Sequence, residues 1–361
     1  MNALKPTLIA ASLTALLALG IAVAQDDTAP AAAEAAAPAE DASAAAATTA
    51  EAAPAEEAAP AEQAPAEALP PVKPRAAEIA RLASHTLLLG VACAGDTLVA
   101  VGDRGNILLS SDGQTWKQVE VPINVTLTAV AFADAKNGWA VGHDATILHT
   151  TDGGKTWALQ RFMPEKGEPL LNVFAVDARQ AYGVGAYGMF LQTADAGATW
   201  TEVEATPIRE DGLHLNALIR LGDGNLFIAG ETGLIGVSID GVTWERLPAP
   251  YEGSLFGALP HGEKGALVFG LRGNVLVTDD VRAGTWQPVD IGTVQSMFGG
   301  AMLPDGRAVL VGSDGEIVYI RPDGTAHRAP PASGSLSGVV AVADHLQMVG
   351  EDGVARAPLG Q

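Results

Sequence analysis

Gly183-Val184-Gly185-Ala186-Tyr187-Gly188, followed by Thr193-x-Asp195-x-Gly197-x-Thr199-Trp200, decides the fold of this chain, because both halves recur. The first half is a small or apolar residue and a Gly, with a second Gly three places on. It returns at Val101-Gly102, Val141-Gly142, Ala229-Gly230, Phe269-Gly270, Val311-Gly312 and Val349-Gly350. The leading glycines of the seven copies are spaced by 40, 43, 45, 40, 42 and 38 residues. Six copies keep the second Gly, and the second copy has Ala145 instead. A period near 41 residues is the length of four short strands with their turns. Seven such units predict an all-β, seven-bladed propeller.

Within a unit the segments read alike. Leu127-Thr128-Ala129-Val130-Ala131-Phe132 opens one, Gly138-Trp139-Ala140-Val141-Gly142 follows, and Thr146-Ile147-Leu148-His149-Thr150 comes after a two-residue turn. These runs are short, bounded by Gly and Asp and rich in β-branched residues, so they are strands. The Gly-x-x-Gly turns supply positive φ for a tight hairpin. With no helix after them they are not dinucleotide fingerprints.

The second half of the motif is an Asp-box. Thr150–Trp157 and Thr193–Trp200 match it fully, Ser110–Trp116 and Ser238–Trp244 are one residue shorter, and Thr278–Trp286 is one longer. Asp112, Asp152, Asp195, Asp240 and Asp280 are expected to accept from turn N–H groups while the Trp covers the blade edge. Their role is structural. The sixth unit keeps only Asp323-Gly324, and the seventh ends near Pro358 without the motif. Closure of the ring is therefore expected to draw on Arg75–Ser84, although the Ile79/Leu82 spacing also suits a helical turn.

With these residues in view, the chain resembles the photosystem II stability/assembly factor family of exported Asp-box propellers over about residues 82 to 356. Leu98–Gly105, Gly138–Asp144 and Tyr251-Glu252-Gly253-Ser254-Leu255-Phe256-Gly257 carry the resemblance together with the Asp-boxes. It implies a lumenal or periplasmic helper that binds a newly made membrane protein and catalyses nothing. Similar propellers also occur in bacteria without photosynthesis. Photosynthetic members present an arginine patch, whereas the 14 Arg of this chain are scattered. The expected partner is thus a protein of a membrane or envelope complex.

The N-terminus fits export. Lys5, an uncharged apolar run from Leu8 to Val23 and Ala22-Val23-Ala24 have the order of a signal peptide spanning 1–24. Residues 25–74 form an Ala/Glu/Pro-rich linker; within 26–72 there are ten acidic side chains and no basic one. Such a segment buries too little to offset its ordering entropy and reads as a disordered tether. The propeller then spans 75–361. A net charge of −21 disfavours nucleic acid and anionic membrane surfaces. After signal cleavage no membrane insertion is expected, and the protein is periplasmic or secreted, or lumenal in a photosynthetic organism. Cys93 is the only cysteine; it excludes an internal disulfide and, within Leu87–Ala94, is expected in the core.

The competing class is a secreted, sialidase-like glycoside hydrolase. That chemistry needs an arginine clamp, an acid/base Asp and a Tyr–Glu nucleophile pair. Tyr251-Glu252 is adjacent, and the early Arg-Ile-Pro motif is missing, so no catalytic residue is assigned. No cofactor motif occurs, and His143, His214 and Glu231 lack metal-ligand spacing. Binding is expected on the turns between the second and third strands. There Asp103, Arg104, His143, Asp144, Tyr187, Glu231 and Arg272 vary on a constant frame.

Overall fold

The computed structural model describes residues 72–360. The signal peptide and nearly all of the proposed linker lie outside the described residues. Seven antiparallel meanders follow one another along the chain. Blade one consists of Leu88–Ala94, Thr97–Gly102, Ile107–Ser110 and Lys117–Gln118. Blades two to six open with Leu127–Phe132, Leu170–Ala175, Leu215–Arg220, Leu255–His261 and Met297–Met302, and each has four strands. Blade seven has only three: Leu336–Ala341, His345–Gly350 and Gly353–Pro358. Every inner strand packs beside the next, and that of blade seven packs beside that of blade one. The chain is a closed seven-bladed β-propeller.

The core lies between blades. Second strands such as Ala308–Gly312 are buried along their whole length, because each is covered by neighbouring blades on both faces. That is why they read as unbroken apolar runs and not as alternating ones. Inner strands also pack on both faces, as Leu127, Val130 and Phe132 toward blade one and Ala129 and Ala131 toward blade three, but their free edge borders the axis and most of their residues are only partly buried. Cys93 is a correction to the sequence expectation of a core residue. It is exposed, and Leu88 and Ala94 take the buried positions at the two ends of its strand.

The closure differs from the sequence expectation. Arg75–Ser84 contributes no fourth strand to blade seven. Residues 77–80 instead lie against the outer part of blade one, where the Ala77 N–H donates to the Val121 carbonyl at 2.9 Å. The Gln118 side chain ties the segment twice, accepting from the Ala80 N–H and donating to the Glu78 carbonyl. A short 3-10 turn, Ala83–His85, then wedges Ala83 into the seam among Leu88, Leu108 and Val349. Ile79 and Leu82 stay exposed, so their spacing marks neither a strand face nor a buried helical face. Between the inner strands, Ser337 Oγ donates to the Leu88 carbonyl at 2.7 Å. Packing and one hydroxyl replace a shared strand.

Candidate functional site

The turn face is built by one local device, repeated. In blade one, Asn106 N–H donates to the Asp103 carbonyl and Gly102 N–H to the Asn106 carbonyl, and four residues, 103–106, separate the paired strands. The loop is longer than the two-residue turn expected. Its two glycines serve different ends. Gly102 is extended at φ −174°, and any Cβ there would collide with the Leu87 carbonyl oxygen and the Leu88 Cα. Gly105 takes the positive φ, +72°. The residue before it, Arg104, is left-handed too, at +55°. Tyr187, Thr232, Arg272 and Asp314 repeat this between +52° and +58°. In blade two Asp144 and Ala145 share the role, at +57° and +48°. Blade seven alone closes with a two-residue turn, Glu351-Asp352.

This geometry divides the residues singled out in the sequence. Asp103 and Glu231, at the first turn position, are braces. Asp103 Oδ1 accepts from Thr126 Oγ1 at 3.1 Å, holding the incoming connection of the next blade, and Glu231 Oε2 accepts from the His214 N–H at 3.1 Å, holding that of its own blade. Asp144 is half-buried, and its backbone carbonyl accepts from the Met163 N–H. Arg104, His143, Tyr187 and Arg272 project outward. Tyr187 is 64% exposed and stands edge-on to His214 at 5.1 Å, with Glu231 3.9 Å from the imidazole. Tyr187, His214 and Glu231 thus form one patch across blades three and four. His143 belongs to blade two and stands apart from that patch. Arg104 pairs with its neighbour Asp103, and Arg272 lies on blade five, so the projecting residues encircle the axis and do not converge.

What converges is a set of residues the sequence reading passed over. Each inner strand carries a bulge one residue after its first buried side chain. The bulged residues are Leu89, Thr128, Leu171, Asn216, Phe256, Phe298 and Ser337. They border a central cavity of about 410 Å³. Because Leu88 pairs with Gly102, this mouth opens on the same face as the turns. The three polar members bond onward to the next blade: Thr128 to the Leu170 carbonyl, Asn216 to that of Leu255, Ser337 to that of Leu88. Phe256 and Phe298 meet at 5.5 Å, and Phe298 is 37% exposed. One sector of the mouth is therefore aromatic and wet, and the rest combines two leucines, Leu89 and Leu171, with three polar side chains already bonded. The signal was present in the sequence only as one register position per unit, filled in turn by Leu, Thr, Leu, Asn, Phe, Phe and Ser.

The Asp-boxes lie at the other ends of the blades. Asp112 Oδ1 accepts from the Gln114 and Thr115 N–H groups, Asp240 Oδ1 from those of Val242 and Thr243. Asp152 and Asp195 each accept a backbone N–H and a Thr hydroxyl four residues on. Asp280 accepts only the Arg282 N–H. These turn hydrogen bonds hold the carboxyls of Asp112, Asp195 and Asp240 at a pKa of about 2. The buried partner is the preceding hydroxyl: Thr150 Oγ1 and Thr193 Oγ1 take the Gly154 and Gly197 N–H groups. The Trp does not cover a blade edge, as expected, but enters the gap to the preceding blade; Trp157 packs on Val99 and Leu109 of blade one.

Tyr251-Glu252 sits in the connection before blade five, not in a strand, and the Tyr251 ring packs against the core between blades four and five. Among the described residues no group of three His, Cys, Asp or Glu side chains could hold a metal.

The profile of the family described as photosynthesis system II assembly factor YCF48 matches residues 108–319. The photosystem II assembly protein Ycf48 of Thermosynechococcus vestitus is 32% identical over 215 residues, 59% of this chain and 61% of that protein. The match thus spans about three fifths of that relative's length. A chloroplastic photosystem II stability/assembly factor HCF136 of Cyanidioschyzon merolae is 39% identical over 62 residues, 17% of this chain and 14% of that protein. Among solved structures, one described as YCF48 bound to D1 peptide superposes with a TM-score of 0.62 at 20% identity, covering 79% of this chain and 97% of the other. The WD40 propeller of Doa1 gives 0.61 at 13% identity, covering 79% of this chain and 96% of the other, so these likenesses carry the fold and no more.

Proposed function

The chain belongs to the family of the photosynthesis system II assembly factor YCF48, and from that premise we propose that it is a non-enzymatic, exported scaffold whose turn face docks a segment of a membrane or envelope protein. The observation that carries this is the repeated turn. Its frame is held by glycine and backbone bonds, while the tips of blades one to six are left-handed and range from Arg and Tyr to Thr and Asp. Strain retained at variable, exposed positions is a mark of a working surface. The solved YCF48 with a D1 peptide supports a membrane-protein segment as the ligand class. Compartment follows from the same reading: the lumen or periplasm, where such a segment is exposed.

Arg104, Tyr187 and Arg272 are the docking residues, since Arg and Tyr dominate interface energies. The Phe256/Phe298 sector offers an apolar anchor point inside the ring they mark. The test is cross-linking in native membranes, followed by affinity measurements on the captured segment. Replacing all three residues by Ala should weaken capture at least tenfold, about 1.4 kcal/mol, without lowering the melting temperature. Gln114, Lys155 and Val242, exposed on the Asp-box turns, serve as the control triple. Loss of capture in the control alone would place the docking surface on the other face.

A further inference from the structure

The propeller fills the gaps between its blades by a rule, and one gap breaks it. The residue before the outer strand points into the gap toward the preceding blade. Trp116 fills the gap between blades seven and one, Trp157 one and two, Trp200 two and three, Trp244 three and four, Trp286 four and five. The indole N–H finds an acceptor in four of them: the carbonyls of Gly113, Gly154 and Gly241, and Gln160 Oε1.

Register identifies the corresponding residue in blade six. Trp116 precedes Lys117, which pairs with the penultimate residue of the third strand, Leu109; Trp286 precedes Gln287, which pairs with Val277. In blade six the penultimate residue Tyr319 pairs with His327, so the position belongs to Ala326. Blade six has an ordinary turn at Arg321–Gly324 in place of the Asp-box. A Cβ on Gly324 would meet nothing within 4 Å, whereas one on Gly113, Gly154, Gly197 or Gly241 would meet the neighbouring blade. The gap between blades six and seven also lacks a Trp, yet it is filled. Tyr319 occupies it, with its hydroxyl on the Pro358 carbonyl and Gly360 across its ring.

The gap between blades five and six is left as a cavity of about 390 Å³, open on the Asp-box face. Leu267, Val277 and Ile320 wall it, and Asp279, Asp290 and Asp323 stand among its lining as acceptors. We propose that this slot binds a tryptophan side chain presented by a partner polypeptide, which takes the place that an indole of the protein itself takes between five other pairs of blades. The apolar residues at its base meet the ring, its rim is mostly polar, and a lining carboxylate takes the N–H that a carbonyl or amide takes elsewhere. The site lies on the face opposite the turns, and its existence does not depend on what the turns dock.

N-acetyl-tryptophanamide, which copies an in-chain tryptophan, is the probe, and N-acetyl-leucinamide the comparison, in equilibrium dialysis with the propeller. Saturable binding of the indole probe, at least tenfold above the leucine one, is expected. Ala326→Trp should supply the missing ring: probe binding falls at least tenfold and the melting temperature rises, as for other filled cavities. Met302→Glu, at the exposed edge of the slot, should weaken binding at least fivefold with the melting temperature unchanged, and it decides the matter if Ala326→Trp does not fold. The Arg104/Tyr187/Arg272 triple should bind the probe as the parent does. No saturation, or equal binding by both slot variants, overturns the proposal. Tighter binding of free zwitterionic tryptophan than of the amide would reassign the slot to a small molecule and equally overturn it.

Discussion

At the scale of single residues, the left-handed turn tips set strain against specificity. A non-glycine residue at φ near +55° costs about 1–2 kcal/mol, most for a β-branched one. Thr232, at +52°, is such a residue, and its only side-chain bond is to the carbonyl of Glu231 beside it. Glycine there relieves the strain but adds about 0.5–1 kcal/mol of chain entropy to the unfolded state. Thr232→Gly should therefore raise stability by about 0.5–1 kcal/mol in urea unfolding. Asp314→Gly should gain nothing, because an Asp tolerates this region and its carboxylate accepts from Gln295 Nε2 at 2.7 Å. Equal gains at both sites would mean that the tips carry no residue-specific strain. The turn glycines were legible in the sequence because their identity is forced. The tips were legible only as variation, and the Phe256/Phe298 sector was not singled out at all, since a bulge position is invisible until strands are paired.

At the scale of the element, the Asp-box is a turn wound around a charge. Asp112, Asp195 and Asp240 titrate near 2 when folded because backbone N–H groups point at them, against about 3.9 in an unfolded chain. Their folded pKa is depressed, so the stabilisation is whole above about pH 4 and is lost as pH falls through about 2. Between those values the unfolded chain binds more protons, and the melting temperature should fall steadily on acidification. A variant carrying Asp112→Asn, Asp195→Asn and Asp240→Asn should start lower at pH 6 and show a shallower fall below pH 4. A parallel fall in both proteins would shift the cause of acid lability to other carboxylates. The motif itself was plain in the sequence. The direction of its Trp was not, because an indole that leaves its own blade to fill the gap before it is a fact about two units, and a repeat shows one at a time.

At the scale of the whole molecule, the ring has a single joint without a covalent connection, between blades seven and one. The seventh unit already stood out in the sequence by having no Asp-box, and its blade has three strands. The chemistry of the joint was not legible there, because Ile79 and Leu82 look like a packing face and are exposed, while Ala83, with almost no signal, is the wedge. The seam rests on Leu88, Leu108, Val349 and Ala83 and on the Ser337 hydroxyl, and its two sides lie about 250 residues apart in the chain. Contacts of that separation are made late and at high loop-closure entropy, so the seam should be the first part of the ring to open. Val349 is fully buried there, as Val268 is between blades four and five. Shortening either to Ala should cost about 1–3 kcal/mol globally. The two differ in how the loss is distributed. Val349→Ala should accelerate amide exchange in blades one and seven well before the rest, whereas Val268→Ala, held by a covalent connection on both sides, should raise exchange evenly around the ring. Hydrogen exchange read by mass spectrometry on both variants separates these patterns. An even rise in Val349→Ala would mean that the seam is as cooperative as any covalently joined pair of blades, and that the missing fourth strand leaves no weak point in the ring.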